Sequence, residues 1–218
     1  MVDSPPGAMN GSPVKFVYLV RHPTVHLESK GVCYGDSDVR LEDGWETTLE
    51  PLETALHRLP VSMRPNQIWH SDLIRCEEPA RWLANRINVR TRSDRRLRER
   101  FFGSWQSIPW SEIPSQELEQ AHAMLEQPSV FRPGGGETTE EVATRARQWW
   151  QAAIVDSENA SSTNASSAFL AFAHSGPITS LCGNLLALPP LEWTPYYLKP
   201  SQYLVIKVTE NKIEIEVG

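Results

Sequence analysis

Val14–Val20, VKFVYLV, runs directly into Arg21 and His22 and lies between Pro13 and Pro23. Seven residues this apolar, with β-branched and aromatic members, are too short for a buried helix and read as a buried strand. Ala168–Ala173, AFLAFA, has the same signature and runs into His174, Ser175 and Gly176. Gln67–His70, QIWH, is a further strand, and Val89–Thr91 could be another. Helical spacing separates them. Leu49, Leu52, Leu56 and Leu59 recur at threes and fours over residues 46–59, and a helix through Arg75, Ala80 and Leu83 follows QIWH. Residues 111–127 and 137–156 also read as helices, the latter with Val142, Ala146, Trp149 and Ala153 on one face. The run from Gly176 through Leu181 and Leu185 continues the pattern. Residues 202–208 and 212–217 alternate as an antiparallel terminal pair. Strands alternating with helices predict an α/β protein, a three-layer α/β/α sandwich around a mainly parallel sheet.

The Pro-, Gly- and Ser-rich residues 1–13 read as a disordered tail, leaving 14–218 as a single domain. Residues 157–167, SENASSTNASS, read as a polar, flexible surface connection. The 21 Lys and Arg against 27 Asp and Glu give a net charge of −6 over 218 residues, which argues against a bulk nucleic-acid binder. No apolar run approaches a membrane span, and the amino terminus lacks the pattern of a secretion signal. Cys33, Cys76 and Cys182 are odd in number and widely spaced, so reduced thiols in a cytoplasmic protein are expected. The eight tryptophans could line a substrate mouth or a homodimer face, with core packing the simpler reading, and Trp149 and Trp150 read as core plus rim.

Ligand sites in such sheets lie beyond the carboxyl ends of the strands. There the sequence places Arg21 and His22, then Arg75, then His174 and Ser175 at a helix start. Two arginines and a helix N-terminus suit a phosphoryl group. A neutral histidine can attack phosphorus, a second kept cationic can stabilise the transferring oxygens, and a carboxyl with raised pKa can protonate the leaving alcohol. Glu99, before Phe101 and Phe102, is the candidate acid. Singly, each has a plainer reading: His22 as a packed residue, Arg75 as a solvated helix residue, Glu99 as a surface carboxylate. The arginine-dense residues 90–100 read as a solvated face, and His26, His57, His70 and His122 as structural.

Taken together, the residues resemble the histidine phosphatase superfamily, also called phosphoglycerate mutase-like. Leu19-Val20-Arg21-His22-Pro23 is similar to its Arg-His-Gly signature, and Ser71-Asp72-Leu73-Ile74-Arg75-Cys76 to its Ser-x-Leu-x-Arg-Cys segment. Leu97–Gln106 resembles its Leu-x-Glu-x-x-Phe-Gly-x-Trp-Glu segment, Pro133–Thr138 its Pro-Gly-Gly-Glu-Ser loop, and Ala173–Gly176 its second-histidine motif. The resemblance implies a phosphomonoesterase in which His22 becomes phosphohistidine. It implies further that Arg21, Arg75, His174, Thr24 and Ser175 hold the phosphate, that Glu99 donates the proton, and that no metal or other cofactor takes part. The expected partner is a small-molecule phosphate ester, with no nucleic acid and no membrane.

Gly31–Leu41 most resembles the α-ribazole phosphatase branch, which implies a nucleotide-like phosphate in cobalamin assembly. A cofactor-dependent phosphoglycerate mutase and a catalytically idle phospholigand-binding member are the alternatives. Departures from the pattern are Pro23 for Gly, Val25 and Glu28 in the loop after the nucleophile, Gln106-Ser107 for Glu-Gly, and Pro79. A carboxylate facing the phosphate would repel it, so Glu28 is expected to point away.

Overall fold

The computed structural model describes residues 14–115, 122–156 and 167–217. The expected tail and most of the Ser/Asn-rich connection lie outside the described residues. Among these residues the chain forms β1 (Lys15–Arg21), β2 (Val32–Cys33), α1 (Glu50–Arg58), β3 (Gln67–His70), α2 (Ile74–Ile87), β4 (Arg90–Ser93), β5 (Ile108–Pro109), α3 (Ala123–Glu126), α4 (Thr139–Trp150), β6 (Ser167–Ala173), α5 (Ser175–Leu185), β7 (Tyr203–Thr209) and β8 (Lys212–Val217).

The main sheet has the order β4-β3-β6-β1-β7-β8. The pairs β4–β3, β3–β6 and β6–β1 are parallel, and β1–β7 and β7–β8 are antiparallel. VKFVYLV and AFLAFA are apolar at successive positions because both sheet faces are covered. Val17 and Leu19 of β1, with Ala171 of β6, pack under Trp149 of α4 and Leu181 of α5. Tyr18 and Val20, with Leu170 and Phe172, pack under Leu52 and Leu56 of α1 and Leu83 of α2. Side chains alternate across a strand, so each strand feeds both cores. This is the expected α/β/α sandwich.

Four details differ from the sequence reading. The helix expected over residues 111–127 does not start at Ser111: Trp110–Glu112 is a single 3-10 turn, Ser115 is helical, residues 116–121 lie outside the described residues, and α3 spans Ala123–Glu126. Pro114 disfavours helical backbone at Ile113. The next helix begins at Thr139, not Glu137, because Thr138 closes a capping box with Glu141. Trp149 and Trp150 are both core residues, with no rim position between them. The two-residue pair β2–β5 carries no readable pattern and was not anticipated.

Candidate active site

β1 and β6 are parallel neighbours, with Arg21 opposite Ala173 in register. After β1 the chain goes to α1 on one face, and after β6 to α5 on the other. The strand ends therefore meet at the topological switch point of the sheet, where a crevice forms. His22 and His174 emerge there with ring centroids 5.1 Å apart, edge to face. The His22 amide still donates to Ala173 O at 3.1 Å, which fixes both residues to the rim.

His22 is buried, and its Nδ1 lies 2.6 Å from Pro23 O. A carbonyl can only accept, so Nδ1 carries the proton and the lone pair sits on Nε2. Burial, and then the Arg75 charge, hold its pKa well below the ordinary histidine value. His174 is also fully buried, and Arg75 Nε donates to its Nδ1 at 3.2 Å. Burial first, then Arg75 and His22, push its pKa well down. In the free site this favours the neutral ring of His174.

Arg75 is not a solvated helix residue. It is fully buried, and its two terminal nitrogens donate to Ser37 O at 2.7 Å and Gly35 O at 2.6 Å. Its guanidinium also lies 5.0 Å from the Tyr34 ring centroid. Arg21 Nη1 donates to Leu198 O at 2.7 Å and to Tyr197 Oη at 3.0 Å. Its Nε, and the hydroxyl of Ser175 at the start of α5, are buried with no hydrogen-bond partner. Unmatched buried polar groups are costly, and two of them lining one cavity form a prepared anion site. Thr24, expected to bind phosphate, is fixed in the loop after the nucleophile, where its carbonyl accepts the Glu42 amide at 2.9 Å.

Glu99 lines the cavity opposite. Its Oε1 accepts the Arg100 amide at 2.8 Å, and its Oε2 accepts the Gly176 amide at 3.3 Å. One amide at the α5 N-terminus is therefore already engaged by the acid and is not wholly open to a phosphate. Phe102 lines the cavity, whereas Phe101 is exposed.

The segment carrying Glu99 is held from behind by Arg145 of α4. That guanidinium donates to the carbonyls of Arg96, Arg98 and Glu99 and pairs with Glu137. Glu137 in turn accepts the Phe101 amide at 2.9 Å. The Pro133–Thr138 loop thus anchors the acid's backbone; a Cβ on Gly136 would stand 2.0 Å from Phe101 O. Within the arginine-dense stretch, Arg98 pairs with Asp72 and Arg100 is buried against Glu137 O and Thr139 Oγ1, so it is only partly a solvated face. Glu28 points away from the site toward Arg40, and His122 lines the cavity rim instead of packing internally. Tyr197, Arg145 and His122 were missed because nothing in their local sequence distinguishes them.

Among the described residues no group of three His, Cys, Asp or Glu side chains is placed to hold a metal. No helix among them is long and apolar enough to cross a membrane.

Comparison with known proteins accords with this geometry. A glucosyl-3-phosphoglycerate phosphatase of Mycobacterium tuberculosis is 32% identical over 132 residues, covering 60% of this chain and 58% of that relative. The match thus spans less than two thirds of the relative. A protein of the same name from Mycolicibacterium vanbaalenii is 26% identical over 83% of this chain and 78% of its own. The solved α-ribazole phosphatase of Shigella flexneri superposes with a TM-score of 0.75 at 17% identity over 93% of this chain and 95% of its own, a likeness of fold. Residues 17–217 match the family model described as the histidine phosphatase superfamily, branch 1, and the chain belongs to that superfamily.

Proposed function

We propose that the chain is a phosphomonoesterase that works through phosphohistidine on His22. One observation carries the reading: the Nδ1 proton of His22 is committed to Pro23 O, leaving the Nε2 lone pair free on a neutral ring, next in the chain to Arg21, whose Nε is an unmatched donor. Nε2 attacks phosphorus, and the P–O bond to the alcohol breaks as Glu99 supplies the proton to the departing oxygen. Water, deprotonated by the Glu99 carboxylate, then cleaves the P–N bond and releases phosphate. Arg21, Arg75 and Ser175 stabilise the charge on the phosphoryl oxygens, and His174, whose Nδ1 accepts from Arg75, joins them as a donor through its Nε2–H. This chemistry asks for no metal. Three buried, unpaired thiols support a reducing, cytoplasmic setting.

Two substrate readings follow from the relatives and the motifs. The mycobacterial relatives suggest glucosyl-3-phosphoglycerate. The Tyr34 motif, whose ring faces Arg75, supports α-ribazole phosphate. The test is turnover of an aryl phosphate with EDTA present, followed by acid quenching of enzyme exposed to labelled substrate. Wild-type turnover with an acid-labile label, both abolished in His22→Ala, is the expected result. Label stable to acid, or activity lost to EDTA and restored by a metal, contradicts it.

A further inference from the structure

We infer that the alcohol half of the substrate is an uncharged, ring-bearing group, selected by Phe102, Trp110 and Tyr197; this rests on the phosphatase reading and narrows its substrate class. The cavity that begins at Arg21 and Glu99 has a volume of about 580 Å³, within the usual range for small-molecule sites. It is far larger than a phosphoryl group requires, and its outer part is aromatic. Trp110 meets Phe102 edge to face at 5.9 Å and Trp105 at 6.4 Å, while Phe102 stacks on Trp105 at 6.5 Å. This wall is packed in advance, so a ring can settle on it with little ordering cost. Trp110 and Tyr197 are nevertheless 38% and 58% exposed, leaving aromatic surface for a ligand to cover.

Charge points the same way. The lining contains two guanidinium groups and no lysine among the described residues. Arg100 is buried and commits its terminal nitrogens to Glu137 O and Thr139 Oγ1. Arg21 gives Nη1 to Tyr197 and Leu198, and its Nε is buried without a partner. His122 stands at the exposed rim, where water screens it. A carboxylate on the leaving group would lose hydration against aromatic carbon, a cost that the buried Arg100 charge offsets only in part. The cavity is thus built for a neutral ring and against a glycerate.

The test separates binding from turnover. Calorimetry on His22→Ala should show 1-naphthyl phosphate binding at least tenfold tighter than 3-phosphoglycerate. Adding Trp110→Ala should weaken 1-naphthyl phosphate by about tenfold and leave inorganic phosphate unchanged, while Trp110→Phe retains most of the affinity. Equal or tighter binding of 3-phosphoglycerate overturns the inference, as does a Trp110→Ala loss shared equally by both esters. If wild type turns over neither ester and forms no phosphohistidine while the binding preference persists, the phosphatase reading fails and the ring selectivity stands.

Discussion

Arg75 Nε donates to His174 Nδ1 across 3.2 Å, joining the residues that follow β3 and β6 into one unit. The same guanidinium fastens the loop carrying Tyr34 through the carbonyls of Gly35 and Ser37. One buried cation thus orients the second histidine, tethers the loop over the site and supplies positive charge.

Arg75→Lys is expected to lower kcat/KM by about a thousandfold although the charge is kept, because an ammonium cannot reproduce a planar fork with three fixed directions. The urea midpoint should fall by the equivalent of about 2 kcal/mol, from carbonyls left unmatched. Steady-state kinetics and equilibrium unfolding check both; near-wild-type kcat/KM would show that charge alone suffices.

Glu99→Gln keeps an acceptor for only one of the Arg100 and Gly176 amides, and it cannot give up a proton. Its kcat should drop by roughly 10² to 10⁴ on alkyl phosphates and by less than about tenfold on nitrophenyl phosphate, whose leaving group needs no acid. A uniform loss across leaving groups would remove Glu99 from the acid role.

Gly176→Ala should imitate that variant without unfolding the protein. An added Cβ would stand 2.2 Å from Glu99 Oε1, and the cheapest relief is displacement of the carboxylate tip. Unchanged thermal melting with a leaving-group-dependent drop in kcat is the expected result, and unchanged kcat shows that Glu99 tolerates the shift.

Acid should destabilise the fold earlier than carboxylate titration explains. His22 and His174 are both held well below the ordinary histidine value when folded, and both regain it on unfolding. Below about pH 6.5 the unfolded chain therefore binds more protons. Stability is fully present above that pH and is lost as pH falls, by up to about 1.4 kcal/mol per unit for each ring. Urea midpoints between pH 5 and 8 measure this, and a flat profile over that range contradicts the neutral pair.

Ser107 occupies the left-handed region with φ of 67°, at the place where the resemblance calls for glycine. Its amide donates to Cys33 O at 2.8 Å, which holds the turn. Ser107→Gly should raise stability by about 1 kcal/mol, as relief of the Cβ strain exceeds the entropy lost. Chemical denaturation with unchanged kcat/KM is the readout, and a fall in stability would show that the serine is compensated elsewhere.

Much of the architecture was legible locally. VKFVYLV and AFLAFA announce strands covered on both faces, because only a two-sided core makes successive residues apolar. The polar residues after them follow from the rule that such sheets bind ligands at their carboxyl ends. Short or interrupted elements were less readable. The pair Val32–Cys33 with Ile108–Pro109 is too brief for periodicity, and the helical reading of residues 111–127 overran Pro114, before which Trp110–Glu112 is a 3-10 turn.

Sequence by itself determined the sandwich, the order of its strands and helices along the chain, and the identities of His22, Glu99, His174, Arg21 and Arg75 as candidates, since these depend on patterns spanning a few residues. The tertiary structure decided what those residues are. It pushed both histidine pKa values down by burying the rings beside Arg75, seated Glu99 on the Gly176 amide, held the Glu99 segment with Arg145, and lined one cavity with Phe102, Trp110 and Tyr197. Desolvation and hydrogen bonding act through space, between groups brought together by elements far apart in the chain.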